Sequence, residues 1–128
     1  MEFSISIPQL DVDGFDGDGL RSYLTRAEEL GFEGGWTLEQ IIGPTPMIAP
    51  MELLAWAAAC TSTLRLGVAV LITSLHDPLQ LAATVTAVDR LSHGRLDLGV
   101  APAVAAASSR PSASTRRPSS AASPRAWS

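Results

Sequence analysis

The chain has 128 residues, of which 46% are hydrophobic and 17% charged, and its net charge is −4. This composition is ordinary for a globular domain, and the length excludes more than one modest hydrophobic core. Cys60 is the single cysteine, which excludes a disulfide framework and a thiolate metal cluster, so we expect no metal site. No apolar run approaches the roughly 18 residues of a membrane helix, and Glu2 stands where a secretory signal carries positive charge. We therefore expect a cytoplasmic protein without a membrane partner.

The composition changes after Pro102. Residues 1–102 contain five Arg and thirteen acidic residues, a net charge of −8, whereas residues 103–128 contain four Arg and no acid. The acidic first part argues against a nucleic acid partner. The second part, built mainly from Ala, Ser, Arg and Pro, has almost nothing to bury and is predicted to be disordered. It is either the product of an out-of-frame reading or a basic arm for an anionic surface.

The first hundred residues alternate between strand and helix patterns. Residues 3–10 alternate apolar and polar side chains, which predicts a strand whose ladder ends near Pro8. Apolar residues at helical spacing over 20–30 predict a helix, with Gly31 as its left-handed cap. A second strand near residues 34–38 is inferred mainly from its position in this alternation.

Two further helices and two further strands complete the pattern. Pro50 suits a first helical turn and begins a helix that extends to about Thr61. Residues 64–73 are almost continuously apolar, which predicts a strand covered on both faces of a parallel sheet. Asp77 followed by proline predicts the N-cap of a third helix, and residues 96–101 form a fourth strand.

The predicted strands start near positions 3, 34, 64 and 96, an interval of about 31 residues, which is also the repeat of a (β/α)8 barrel of roughly 250 residues. The spacing predicts an α/β fold of the TIM-barrel type, truncated to about the first four β/α units over residues 1–102. The alternative is a complete doubly wound sheet, but no G-x-G-x-x-G loop follows the first strand.

Three segments at this spacing resemble the bacterial luciferase-like family of flavin-dependent oxidoreductases. They are the sequence WTLEQ at 36–40, LGVAVL at 66–71 and the stretch from 76 to 100, which contains DRLSHGRLDLGV. The resemblance covers residues 1 to about 102. It implies a TIM barrel that binds FMN or the deazaflavin F420 at the carboxyl ends of its strands. It also implies oxidation or monooxygenation of a small organic substrate.

The resemblance assigns candidate residues to the cofactor. It implies a non-prolyl cis peptide between Ala69 and Val70 that lies against the flavin ring, and it makes Ala69, Val70 and Leu71 candidates for cofactor binding. In an unrelated protein these residues would be ordinary strand core.

Gln40 is the catalytic candidate, because many members of the family carry a histidine there. Glutamine is neutral and can only form hydrogen bonds. Either this protein orients its substrate without a titrating group at Gln40, or the position is not catalytic here.

Glu39 and His76 are candidates for substrate binding. The alternatives are an exposed loop carboxylate for Glu39 and a solvated loop histidine beside a helix N-cap for His76. Arg95 and Asp97, which flank the start of the fourth strand, are expected to form a local charged pair.

Two hypotheses of function remain open. The first is an N-terminal part of a luciferase-like oxidoreductase with little activity, because barrels commonly hold the cofactor phosphate with the loops after strands seven and eight. The second is a non-enzymatic half barrel that associates with itself through open strand edges.

Overall fold

The computed structural model describes residues 1–103. These residues form four strands, three α-helices and one 3₁₀ turn at Thr73–Leu75. The helices and strands are, in chain order, β1 (Ser4–Ser6), α1 (Gly17–Glu29), β2 (Gly34–Thr37), α2 (Pro50–Cys60), β3 (Arg65–Ile72), α3 (Pro78–Leu91) and β4 (Leu96–Ala101). The segment predicted to be disordered, 103–128, lies outside the described residues except for Ala103. Among residues 1–103, none of the helices combines the length and the apolar character needed to cross a membrane.

The four strands form one parallel sheet in the order β1-β2-β3-β4. Ser4 lies opposite Gly34, Gly34 opposite Arg65, and Leu66 opposite Leu96. Strand partners are thus 30 or 31 residues apart at these positions, which confirms the interval predicted from the sequence. Each strand pairs only with its neighbours in the chain, as the successive units of a β/α barrel do.

β1 is shorter than the predicted strand of residues 3–10. The ladder covers only Ser4–Ser6, although the backbone N–H of Ile7 still donates to the carbonyl of Trp36 at 2.9 Å. Pro8 has no N–H to donate, so the chain leaves the sheet there. Leu10 instead forms an isolated antiparallel bridge with Met47.

The predicted signals are present at the start of α3 and at the end of α1, and Asp16 supplies a further cap that was not predicted. The Asp16 side chain caps α1 by accepting from the backbone N–H of Gly19, and Asp77 caps α3 by accepting from Leu79 and Gln80. Gly31 follows α1 with φ of +81°, a conformation that glycine adopts without steric cost. These caps set the first residues of α1 and α3 and the last residues of α1.

The core lies between the helices and one face of the sheet. It contains buried residues of α1, α2 and β3, among them Leu24, Leu54, Leu66 and Val68, none of which exposes any surface. β3 is not covered on both faces as its apolar sequence predicts, because Ala69 and Val70 are exposed. The opposite face of the sheet is therefore open at this strand.

Arg95 and Asp97 do not pair with each other, so the expected local charged pair is wrong. Arg95 is 9% exposed and donates to Ser92, Leu64, Ala58 and both oxygens of Thr61. It thereby satisfies carbonyl groups at the C-terminal end of α2, which has no basic residue in its own last turn. Burial lowers the pKa of the Arg95 guanidinium, although nearby Glu28 acts in the opposite direction.

Glu28 holds the loop between α2 and β3. One carboxylate oxygen accepts hydrogen bonds from the backbone N–H groups of Ser62, Thr63 and Leu64 and from the Thr63 hydroxyl. Burial of Glu28 opposes ionisation, but these hydrogen bonds outweigh it and keep the pKa of Glu28 below its ordinary value. A carboxylate on α1 therefore positions the start of β3.

Candidate active site

A groove of about 520 Å³ opens at the carboxyl ends of β2 and β3. Glu39 and Gln40 line it from the segment after β2, and His76 lines it from the segment after β3. The first turns of α2 and α3 form the remaining walls. Parallel strands bring their carboxyl ends to one edge of the sheet, and this is the edge where β/α barrels place their active sites. The structure therefore brings Glu39, Gln40 and His76 together.

Glu39 is the most constrained of these residues. Its side chain is 4% exposed, so the alternative of an exposed loop carboxylate is wrong. Its Oε2 accepts from the backbone N–H of Ile72 at 2.6 Å, and its Oε1 lies 2.6 Å from Nε2 of His76. The carboxylate thus joins the segment after β2 to the end of β3 and to the loop that follows it.

His76 is not the solvated loop histidine of the alternative interpretation. Its side chain is 28% exposed and its Nε2 is engaged by Glu39. The next residue, Asp77, is fixed as the N-cap of α3, so the backbone of His76 is anchored on its C-terminal side. The ring is held at the groove by its contact with Glu39 and by the anchored backbone.

Gln9 positions the segment that carries Glu39 and Gln40, and sequence reasoning missed it. It is 6% exposed. Its Oε1 accepts from the backbone N–H of Leu38 at 2.8 Å, and its Nε2 donates to the carbonyls of Leu38 and Ile48. The available signal was a long polar side chain directly after Pro8, where the strand leaves the sheet.

Gln40 lies on the same groove and is exposed. The structure therefore leaves its amide accessible to a molecule in the groove. Thr37, the last residue of β2, donates its hydroxyl to the carbonyl of Gly67 on β3 at 3.1 Å, which adds a side-chain link between these two strands just below the groove.

The residues assigned to the cofactor lie on β3 and are not among the residues that line the groove. The peptide bond between Ala69 and Val70 is cis, where the resemblance places it. The pairing of β3 with β4 shifts between Val68 and Leu71, and Ala69 and Val70 are exposed. Leu71 differs from them, because its side chain is fully buried in the core.

The chemistry of Ala69 and Val70 fits the ring of a flavin better than its phosphate. Ala69 and the 42% exposed Val70 offer an apolar surface of the kind that a planar ring covers. None of the described residues that line the groove is Arg or Lys, so the groove itself offers no cation for a phosphate.

A parallel β/α sheet with polar side chains at the carboxyl ends of its strands is the arrangement of a β/α barrel. The model of the family described as luciferase-like monooxygenase matches residues 1–118, beyond the boundary at residue 102 that the composition indicates. The chain belongs to the luciferase-like monooxygenase family.

The relatives and solved structures agree with this assignment. The uncharacterized protein y4vJ of Sinorhizobium fredii is 37% identical over 75 residues, which are 58% of this chain and 21% of that protein. The coenzyme F420-dependent tetrahydromethanopterin reductase of Methanopyrus kandleri superposes with a TM-score of 0.65 and 25% identity, over 80% of this chain and 27% of that one. The chain thus spans about a fifth of the relative and about a quarter of the solved structure.

A third protein shares the fold at lower identity. It is the oxygenating constituent of 3,6-diketocamphane monooxygenase from Pseudomonas putida, a type II Baeyer-Villiger monooxygenase in complex with FMN. It superposes with a TM-score of 0.67 and 17% identity, over 81% of this chain and 30% of that one. The four strands and three α-helices described here are accordingly part of a TIM-barrel fold.

Proposed function

We propose that this chain supplies the first half of the active site of a flavin-dependent oxidoreductase or monooxygenase, which uses FMN or F420 and acts on a small organic substrate. The observation that carries the proposal is the convergence of Glu39, Gln40 and His76 on one groove at the carboxyl ends of β2 and β3. The Methanopyrus reductase and the Pseudomonas monooxygenase, which use F420 and FMN by their descriptions, support both cofactors equally.

The cofactor ring lies against Ala69 and Val70 in this proposal, with the buried Leu71 supporting the strand from behind. The bound cofactor supplies the redox chemistry. The chain's own contribution is an apolar surface that excludes water from one side of the ring. Turnover requires a phosphate-binding part that the described residues do not include, so we expect little activity from this chain alone.

The substrate occupies the groove beside the ring. Gln40 orients it through its amide, which donates and accepts hydrogen bonds at every accessible pH. Glu39 and His76 bind the polar end of the substrate, with Glu39 acting through His76 because its own carboxylate is almost completely buried. The groove thus combines a few polar groups with apolar side chains such as Met51 and Leu81, which suits a small organic molecule with one polar group.

Titration of the purified chain with FMN and with F420, followed by absorbance and fluorescence, tests the proposal. We expect one of them to bind with micromolar affinity. Val70→Glu places a charge on the ring surface and should weaken binding about tenfold or more. Val12→Glu is the matched control, because Val12 is 66% exposed in the loop before α1. Failure of both cofactors to bind, or equal effects of the two substitutions, contradicts the proposal.

A second candidate is a non-enzymatic half barrel that forms a complex with a second copy. Exposed apolar side chains on α3 and β4 favour it, namely Leu79, Leu91, Leu98 and Val100, which are 83%, 60%, 38% and 53% exposed. A second copy that covered them would also cover the open edge of β4. Light scattering decides: a stable dimer that binds neither cofactor supports this candidate, and a monomer excludes it.

A further inference from the structure

We propose that Glu39 and His76 work as one unit, in which Glu39 fixes the tautomer of His76 and leaves Nδ1 as a proton acceptor for a ligand in the groove. His76, and not Gln40, is then the proton acceptor of this site. The inference rests on the proposed function for the identity of the ligand, but neither the pair itself nor its test depends on a cofactor.

The hydrogen bonds of Glu39 determine which ring nitrogen of His76 carries the proton in the neutral imidazole. An ionised carboxylate can only accept hydrogen bonds. Oε2 is occupied by the backbone N–H of Ile72, which fixes the orientation of the carboxylate, and Oε1 lies 2.6 Å from Nε2 of His76. The imidazole must therefore donate from Nε2, so in the neutral ring the lone pair is on Nδ1.

Nδ1 of His76 is the atom left for a ligand. It forms no hydrogen bond with residues 1–103, in which every buried side-chain nitrogen or oxygen has a partner. Nδ1 is therefore in contact with solvent, and His76 lines the groove. The chemistry that this atom recognises is a donor, such as a hydroxyl or N–H group of the substrate. A carboxylate or another group that can only accept is disfavoured.

The proton transfer that this arrangement permits is balanced without a further reactant. An O–H bond of the ligand breaks, an N–H bond forms at Nδ1, and the electron pair stays on the ligand oxygen. The positive charge of the imidazolium is compensated by the Glu39 carboxylate. The other charged groups at the groove are Asp77, whose Oδ1 accepts from the first turn of α3, and Glu52 on α2. Gln40 cannot take this proton.

Nitrogen-15 NMR of the histidine side chains at alkaline pH tests the proposal, because the chemical shifts show which ring nitrogen carries the proton. The chain contains two histidines, so His93→Gln assigns the signals of His76. We expect the Nε2–H tautomer for His76 in the wild type. A wild-type Nδ1–H tautomer, or equal amounts of the two, would overturn the proposal.

Glu39→Gln tests whether Glu39 sets the tautomer. If the amide oxygen continues to accept from Ile72, the amide N–H₂ faces Nε2 of His76 as a donor, so we expect the ring proton to move to Nδ1. Glu52→Gln is the matched control, since it lies on the same groove without a hydrogen bond to His76, and should leave the tautomer unchanged. An unchanged tautomer in folded Glu39→Gln overturns the positioning role.

These outcomes are separable from those of the proposed function. If Glu39→Gln does not fold, an Nδ1–H or mixed tautomer in the wild type still overturns the proposal. If neither cofactor binds but His76 has the Nε2–H tautomer, the proposed oxidoreductase is contradicted and the Glu39–His76 pair is supported. If a cofactor binds but His76 has the Nδ1–H tautomer or a mixture, the oxidoreductase is supported and His76 is excluded as its proton acceptor.

Discussion

Arg65 and Asp97 face each other across β3 and β4 through two hydrogen bonds, with Nε of Arg65 2.6 Å from Oδ2 of Asp97 and Nη2 2.5 Å from Oδ1. The pairing is bidentate, which fixes the geometry of both side chains. The hydrogen bond from Arg65 holds the pKa of Asp97 below its ordinary value, against the effect of burial. Asp97 is therefore a carboxylate whose ionised form the folded state prefers, as Glu28 is.

Acid should destabilise the fold through Asp97 and Glu28. Both carboxyls have lower pKa values in the folded chain than in the unfolded chain, so their stabilisation is fully present above the unfolded values. It is lost as the pH falls through the folded values, which lie below the ordinary values of these two carboxyls. We expect the free energy of unfolding in urea to fall as the solution becomes more acidic than those ordinary values. The double variant Glu28→Gln with Asp97→Asn should show a flatter profile, and a profile parallel to wild type would contradict the assignment.

Removal of the Glu28 side chain should destabilise the chain. Glu28→Ala leaves three backbone N–H groups of the loop before β3 without their acceptor, and we expect a loss of about 1 to 3 kcal/mol. Glu29→Ala is the matched control, because Glu29 is exposed and pairs only with Arg26 within α1; it should change stability by less than about 0.5 kcal/mol. Chemical denaturation measures both, and equal losses would argue against the loop contact.

Arg95→Met should be among the most destabilising single substitutions. Methionine fills much of the space of the arginine but cannot donate, so carbonyl groups of α2 and of the following loop are left without a partner. We expect a loss of about 3 kcal/mol or more in the free energy of unfolding. Arg90→Met, at an exposed position in the last turn of α3, is the control and should have a small effect. A small effect of both substitutions would show that water takes over the hydrogen bonds that Arg95 donates.

Gly67→Ala should disturb the contact between β2 and β3. A Cβ at Gly67 would overlap the six-membered ring of Trp36 on the adjacent strand, and we expect a cost of about 1 to 3 kcal/mol. The double-mutant cycle with Trp36→Ala is the test. In that background the alanine should cost at least about 0.5 kcal/mol less, and strict additivity would mean that the cost arises elsewhere.

The repeat and the helix ends were predictable because they depend on local sequence. The interval of about 31 residues, the N-cap at Asp77 and the glycine after α1 all appear in the structure as the sequence indicates. Their physical causes act over a few residues, as for a side-chain cap or a positive φ. The alternation of strand and helix then orders the sheet, since parallel neighbours require a crossover.

The contacts that hold the loops and the site were not predictable in the same way. The long-range partners of Glu28, Arg95 and Glu39 are 31 to 37 positions away, and no local pattern marks a charged side chain that will be buried. Glu39 was interpreted as an exposed carboxylate or a ligand-binding residue because its partner, His76, becomes a neighbour only when β2 and β3 pair. The candidate residues were found, but their mutual contact was not.

The sheet order has a consequence for synthesis on the ribosome. Because every strand pairs with the strand before it, each unit of about 31 residues finds its docking edge already formed when it emerges. None of the pairings among β1 to β4 waits for a strand beyond β4, so the described units are suited to assemble vectorially during translation. In this order the groove between β2 and β3 is complete as soon as α3 has left the exit tunnel.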